Sequence, residues 1–360
     1  MDQNTIFKDL LVIELASVLA GPTVGMFFAE LGAKVIKIEN QSTGGDVTRS
    51  WKLPEEDPND EYSAYYHSIN WGKEKRLLNL RDSQDQNQVL SLIKKADIVI
   101  SNFKMGSAKK LRMDYESLKT HNPSLIYAAI TAYGDDDPAP GFDVMIQAET
   151  GWIFMTGEKD GNPVKMPVAL VDILAAHQLK QGILIALLKR QTTGKGSFVS
   201  ISLFDASVAA LANQASNWLN VNVLPQRMGS QHPNIAPYGD IFYTKDQVGI
   251  ILGTGTQKQY ENLCDCLDLS ELKMDERFIT NALRLSNRAV LNEYLEQAIA
   301  QKDYTTFAQE CKEKKVTIAP LNNMEDVFKL PNAQKLILSE TLADGRVIKR
   351  VKTTVFKIRH

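Results

Sequence analysis

Asp172 is the residue of this chain most at odds with its surroundings. It sits in VALVDILAA, apolar on both sides, and no basic residue lies between Met166 and His177. A buried carboxylate without a counter-charge is costly, so this one must be paired, cap a helix or react. Capping fits a helix starting at Ile173, because a side-chain oxygen at the N-cap accepts from the first free N–H groups. That position would also lower the carboxyl pKa and keep the group ionised, so capping and chemistry are compatible.

Other patterns that carry chemistry are incomplete. Gly194-Lys195-Gly196-Ser197 has Lys189 where a phosphate-binding loop needs its first glycine, and reads as a helix-to-strand turn. Gly253-Thr254-Gly255 has Lys258 in place of the third glycine of a dinucleotide fingerprint. Five histidines form no paired metal-ligand motif, and there is no GxSxG elbow. Asp135–Asp137, beside Pro138 and Pro140, reads as a solvated turn. Cys264, Cys266 and Cys311 lack zinc-site spacing and are too few for a disulfide framework. They suit free thiols in a reducing compartment, with cytoplasmic as the default. These absences exclude the nucleotide-kinase, nicotinamide-oxidoreductase and serine-hydrolase readings, and no metal site is expected.

The elements that must position Asp172 can be read from the pattern. A 360-residue chain with 44% hydrophobic and 23% charged residues has enough apolar content for a core, and its length implies two domains or one elaborated one. A net charge of −2 argues against a nucleic-acid binder. No stretch approaches a membrane span, and Asp2, Asp9 and Glu14 spoil a signal-peptide reading of the N-terminus.

Leu10–Ala16 reads as a strand, Thr23–Leu31 as a helix, and Lys34–Glu39 as the next strand. RLLNL, a helix around Gln88–Lys95, and strands at Asp97–Phe103 and Leu125–Gly134 continue the alternation. Strand, helix, strand at this spacing implies right-handed crossovers and a parallel sheet, an α/β fold. Ligands of such sheets bind beyond the carboxyl ends of the strands, here Ser17–Pro22, Glu39–Arg49, Asn102–Gly106 and Tyr133–Asp143. A helix over Ile173–Arg190, the strand SFVSISL and a long helix over Phe204–Trp218 follow. The division expected is a large domain over residues 1–223, a linker over 224–239, a small α/β domain over 240–318, and a linker and return to the large domain over 319–360.

Taken together, the segments resemble the class III CoA-transferase (CaiB/BaiF) family, which includes formyl-CoA and succinyl-CoA:dicarboxylate transferases. The matching pieces are AGP at Ala20–Pro22, LGAKVIKIEN at Leu31–Asn40, GGDVTRSW at Gly44–Trp51 and NWGKEKRLLNL at Asn70–Leu80. ADIVISNF at Ala96–Phe103, GFDVMIQAETG at Gly141–Gly151 and the run Thr156–Leu188 follow. HPNIAPYG at His232–Gly239 and Asp275–Arg288 complete the series, in order over nearly the whole chain.

The resemblance implies a Rossmann-like large domain, a smaller α/β domain and an interlocked homodimer. It implies no tightly bound cofactor, with coenzyme A thioesters as substrates and a carboxylic acid, here a small dicarboxylate, as acceptor. It also makes Asp172 the nucleophile. Asn102 and Phe103 match the pair that flanks CoA, and Lys73 matches a basic residue near the nucleotide phosphates. Lys110, with neighbour Lys109, falls where relatives carry an arginine. Asn40 replaces a basic residue, and Arg49 suits a structural or phosphate-side role. Ser17 and Leu19 replace the His and Gln of formyl-CoA transferases, which argues against formyl or oxalyl substrates.

Racemases of this fold need a histidine where this chain has Phe142, and His177 lies on a different helix face from Asp172, so that reading is second. A CoA-binding member without turnover is the third. Arg227 and His232 are candidate acceptor contacts, and Gly253–Gly255 a candidate pocket loop. Family members continue past KTTVFKIRH with a Pro-rich stretch and a helix.

Overall fold

The computed structural model describes residues 5–342 and 344–358. The chain divides into two compact units. The first comprises Met1–Trp152, Lys165–Leu224 and Lys335–His360, and the second Ile153–Val164 and Pro225–Gln334.

The first unit is built on six strands: β1 (Leu11–Glu14), β2 (Lys34–Asn40), β3 (Lys73–Leu78), β4 (Ile98–Ser101), β5 (Ile126–Thr131) and β6 (Ser197–Ser202). They lie in the order β3-β2-β1-β4-β5-β6, and every neighbouring pair is parallel. Alternate residues enter different cores. Val12, Val35, Ile98, Ile100, Ile126 and Ala128 face one core, and Ile13, Ile36, Val99, Tyr127 and Ala129 the other. That is why these strands read as continuous apolar runs. Each buried Val or Ile contributes about 1.5–3 kcal/mol.

Helix α1 (Ala20–Glu30) and the long helix Leu170–Thr193 cover the first face, and a helix over Ser83–Ile93 covers the other. By length and composition, Leu170–Thr193 is the one helix among the described residues that could cross a membrane. Its buried face carries Asp172 and Lys180 and packs on α1 and β6. The second helix foreseen over Phe204–Trp218 is broken in two, Leu203–Ala209 and Ala212–Val221. Ala212 takes the left-handed backbone (φ 47°), which interrupts the hydrogen-bond ladder between them. A hairpin of β10 (Ile337–Thr341) and β11 (Val347–Val351) closes this unit. Arg350 fastens it to α1 through a buried pair with Glu30 at 2.7 Å.

In the second unit, the antiparallel sheet β7 (Tyr238–Tyr243), β8 (Gly249–Gly253) and β9 (Ile318–Pro320) packs its apolar face against helices including Gln257–Cys266 and Arg288–Ile299. Part of the Pro-, Gln- and His-rich segment read as a linker is bolted onto this unit. Arg288 donates to the carbonyls of His232 (2.6 Å) and Ile235 (2.5 Å), and Arg284 to that of Ala236 (2.9 Å).

Candidate active site

The strand order reverses between β1 and β4. Their connections leave in opposite directions and open a crevice beyond their carboxyl ends. The turn after β1 and the loop after β4 are clasped across it. Ser17 N donates to Asn102 Oδ1 at 3.1 Å, and Asn102 Nδ2 donates to Ser17 O at 2.8 Å. Two adjoining clefts meet here. The larger, ≈ 870 Å³, is walled by Asn40, Arg49, Arg81 and Lys104, and the smaller, ≈ 410 Å³, by Leu19, Phe142, Asp143 and Asp172. Ser17, Asn102 and Phe103 border both.

Asp172 occupies the first turn of the helix that starts at Leu170, not the N-cap expected for it, which is Ala169. Asp143 caps instead. Its Oδ2 accepts from Val171 N at 2.8 Å and from Asp172 N at 3.3 Å, while its Oδ1 accepts from Gln147 at 2.5 Å. The Asp172 residue is only 8% exposed. Burial first, and then the Asp143 charge, push its carboxyl up to about 7. This reverses the depressed pKa expected of a capping aspartate, because desolvation outweighs the helix dipole once a second carboxylate has taken the cap. Tyr65 is pushed up to about 12 by burial and by the negative charges of Asp172 and Asp143, so it stays a protonated donor within the field of Asp172.

The remaining residues singled out in the sequence divide between the crevice and elsewhere. Ser17, Leu19, Asn102 and Phe103 converge on it. Asn40 borders the larger cleft, but its Oδ1 is engaged by Ser42 N at 3.1 Å and Ser42 Oγ at 2.8 Å. Arg49 borders the same cleft and is held by Glu39 and Glu61, both at 2.7 Å, and stacked on Tyr62.

Lys73 lines neither cleft. Its ammonium is fully enclosed, 2.8 Å from Glu14, and donates to Pro22 O (2.8 Å) and Asn70 Oδ1 (3.1 Å). Burial pulls it down to about 8 despite the Glu14 charge. Lys109 and Lys110 are exposed on the short helix Ser107–Lys110 and also lie outside both linings.

Among the described residues, the cations at the larger cleft without an ion-pair partner are Lys104, inside the Asn102–Gly106 stretch marked as a ligand-binding strand end but not singled out, and Arg81, which the sequence reading did not name. Their signal was available, since Lys104 directly follows the Asn102-Phe103 pair and Arg81 directly follows RLLNL. His177 is exposed on its helix and borders neither cleft. Arg227 and His232 belong to the second unit, where Arg227 donates to the Gly161 and Phe154 carbonyls. The Gly253–Gly255 turn leads into a capping box, Thr256 with Gln259, at the start of its helix.

A large cleft bordered by cations, joined to a smaller one holding a buried carboxyl raised to about 7, suits a long phosphorylated substrate with one reactive end. The comparisons with known proteins agree. The family model described as CoA-transferase family III matches residues 7–359. A succinate–glutarate CoA-transferase of Agrobacterium fabrum is 36% identical over 352 residues, 96% of this chain and 87% of the relative. A succinyl-CoA:mesaconate CoA-transferase of Haloarcula hispanica is 33% identical, over 90% of this chain and 82% of the relative. The crystal structure of a CaiB/BaiF family protein from Brucella suis superposes with a TM-score of 0.84 at 38% identity, covering 99% of this chain and 93% of that one. This chain therefore belongs to CoA-transferase family III, and it is an enzyme of the CoA-transferase class.

Proposed function

We propose that this enzyme moves CoA from an acyl-CoA donor, of which succinyl-CoA is the first to try, to a small dicarboxylate through covalent intermediates on Asp172. The observation that carries this reading is the Asp172 carboxylate itself, buried at the end of the cleft with no hydrogen bond to its side chain among the described residues. A carboxylate left so costly has a use other than stability.

The ionised oxygen attacks the thioester carbonyl, the C–S bond breaks and CoA thiolate leaves, which gives a mixed anhydride. The thiolate then attacks the Asp172 carbonyl, releases the first acid as its carboxylate and leaves an aspartyl-CoA thioester. The acceptor carboxylate attacks that thioester, re-forming an anhydride and the thiolate. Attack of the thiolate on the acceptor carbonyl yields the new thioester and frees Asp172. Both carboxyl intermediates are activated enough to reverse readily, whereas a serine ester is more stable and harder to reverse. Water must be kept from the anhydride, which suits a buried site.

In this reading Asn102 and Phe103 flank the pantetheine end of CoA, and Lys104 and Arg81, rather than Lys73 and Lys110, meet its phosphates. The dicarboxylate acceptor is supported by the relatives named for glutarate and mesaconate. The racemase alternative lacks its second base, because position 142 is Phe and Asp143 is committed to the helix cap. The homodimer is what the family resemblance implies and the cytoplasmic compartment what the free cysteines suit, and sedimentation of the purified protein tests the first.

The direct test is to incubate the enzyme with succinyl-CoA and a panel of carboxylic acids, following new thioesters by mass spectrometry with Asp172→Ala alongside. New thioesters from the wild type alone, with a hydroxylamine-sensitive adduct on Asp172, are expected. Equal turnover by both proteins would sink the nucleophile assignment.

A further inference from the structure

Lysine in the middle of an apolar central strand is an expensive choice. Lys37 of β2 has a side chain with no exposed surface, as has Glu14 of β1. Its three ammonium protons have three acceptors: Glu14 Oε1 at 2.9 Å, Ala16 O at 2.7 Å and Asp46 Oδ2 at 3.0 Å. With Lys73 on the other oxygen of Glu14, the cluster holds two cations and two carboxylates, all enclosed. Replacing such a cluster by apolar side chains is often neutral or stabilising, so stability alone does not account for it.

Its geometry suggests another use. Ala16 O and Pro22 O, the carbonyls gripped by Lys37 and Lys73, bracket the turn that runs from β1 into α1. Between them Val18 has φ 72°, the left-handed region, which a β-branched residue enters only under strain. The Val18 N–H points at the Asp46 carboxylate, 3.4 and 3.3 Å from its two oxygens. Asp46 is fixed in turn by Thr48 N (3.0 Å), Thr48 Oγ (2.9 Å) and Lys37. On the far side the Asn102 clasp holds Ser17. Ser17, Val18 and Leu19 all line the cleft that contains Asp172.

We propose that Asp46, locked by Lys37, is a positioning residue that keeps Val18 in its strained backbone and so sets the Ser17–Leu19 wall of the reaction cleft. The consequence rests on the reading of Asp172 as the reacting group. Lys37 and Asp46 border the larger cleft, but their side chains have no exposed surface, and they act through the turn. An unbraced Val18 relaxes to negative φ, which swings Leu19 and the start of α1 out of place. Glycine at position 18 takes the same φ without strain and has less need of the brace.

The test is a cycle of Asp46→Asn, Val18→Gly and the double variant, read by steady-state transfer from succinyl-CoA to glutarate and by thermal unfolding. Asp46→Asn is expected to lower kcat/KM for succinyl-CoA at least tenfold. Adding Val18→Gly should recover at least threefold of that loss, by more than any accompanying shift of the thermal midpoint accounts for. Losses that multiply in the double variant, or activity that merely follows the midpoint, would overturn the brace.

If Asp46→Asn does not fold, Thr48→Val, which removes a hydrogen bond to Asp46 and no charge, takes its place in the cycle. It should lower kcat/KM at least threefold with Val18 present and less with Val18→Gly, and equal losses in both backgrounds would overturn the brace. The Asp172 adduct is measured separately in the wild type. Its absence removes the nucleophile assignment, whereas the coupling in turnover judges the brace in either case.

Discussion

Replacing Asp172 by Asn should make the protein more stable at neutral and higher pH, with a margin over the wild type that grows as pH rises from 4. In the folded state burial and the Asp143 charge hold the Asp172 carboxyl near 7, against 3.8 for the group in water. The native state therefore binds the proton more tightly than the unfolded chain. Between pH 3.8 and 7 it retains a proton that the unfolded chain has released, so this group lowers stability as pH rises through that window. Below 3.8 both states are protonated and nothing is lost; above 7 the full penalty is present. The gap is roughly three pH units, at about 1.36 kcal/mol each, or ~4 kcal/mol.

Asparagine has nearly the same shape and does not titrate. Its unpaired amide costs about 1–3 kcal/mol, but that cost is the same at every pH. The quantity to measure is therefore the difference between variant and wild type in urea unfolding free energy at pH 4, 5.5, 7 and 8, with protein concentration fixed. The variant should gain ~3–4 kcal/mol on the wild type between pH 4 and pH 8, with most of the rise below pH 7. A flat difference across that range would refute the claim that an uncompensated carboxylate is buried there. A difference of the opposite sign would mean that the carboxylate is held ionised by partners.

Three further outcomes follow from the same geometry. Asp143→Asn removes the second cause of the raised Asp172 carboxyl but leaves the larger one, burial. The acidic limb of kcat/KM for succinyl-CoA should move to lower pH by up to about one unit, and an unmoved limb would show that the Asp143 charge is not felt. Lys104→Ala and Arg81→Ala should each raise the KM for acyl-CoA about tenfold, the worth of one charge-assisted phosphate contact, while Lys110→Ala should change it less than about threefold. Equal effects at Lys104 and Lys110 would dismiss the cleft as the phosphate site.

Glu30→Gln strands Arg350 without its partner and should cost about 3–5 kcal/mol in unfolding free energy. Burial raises the Glu30 carboxyl, but the bonds from Arg350, Thr353 and Thr354 overcome it and hold the group below its usual 4.5. The stability it contributes is thus complete above pH 4.5 and lost as pH falls through the lower folded value. A wild type that keeps its full margin over Glu30→Gln at pH 3 would contradict this.

The sequence carried the fold because its cues are local. Strands buried on both faces must be continuous apolar runs, and Val12-Ile13, Val35-Ile36 and Ile98-Val99-Ile100 are written that way. The alternation with helices then leaves a parallel sheet, and the strand ends at Ser17 and Asn102 mark where ligands go. Asp172 stood out for the same reason, as a charge in an apolar run.

Tertiary structure decided which charges face solvent and which face each other. Lys73 and Lys104 are both lysines next to matching motifs, yet one is enclosed against Glu14 and the other lines the cleft. That outcome depends on contacts across β1, β2 and β3 that no local pattern encodes. The Asp172 carboxyl was likewise expected low and is high, because Asp143, 29 residues earlier, takes the helix cap and adds its own charge. Spacing along the chain sets secondary structure through backbone geometry. Burial and Coulomb interactions depend on distances in space, and those exist only once the chain has folded.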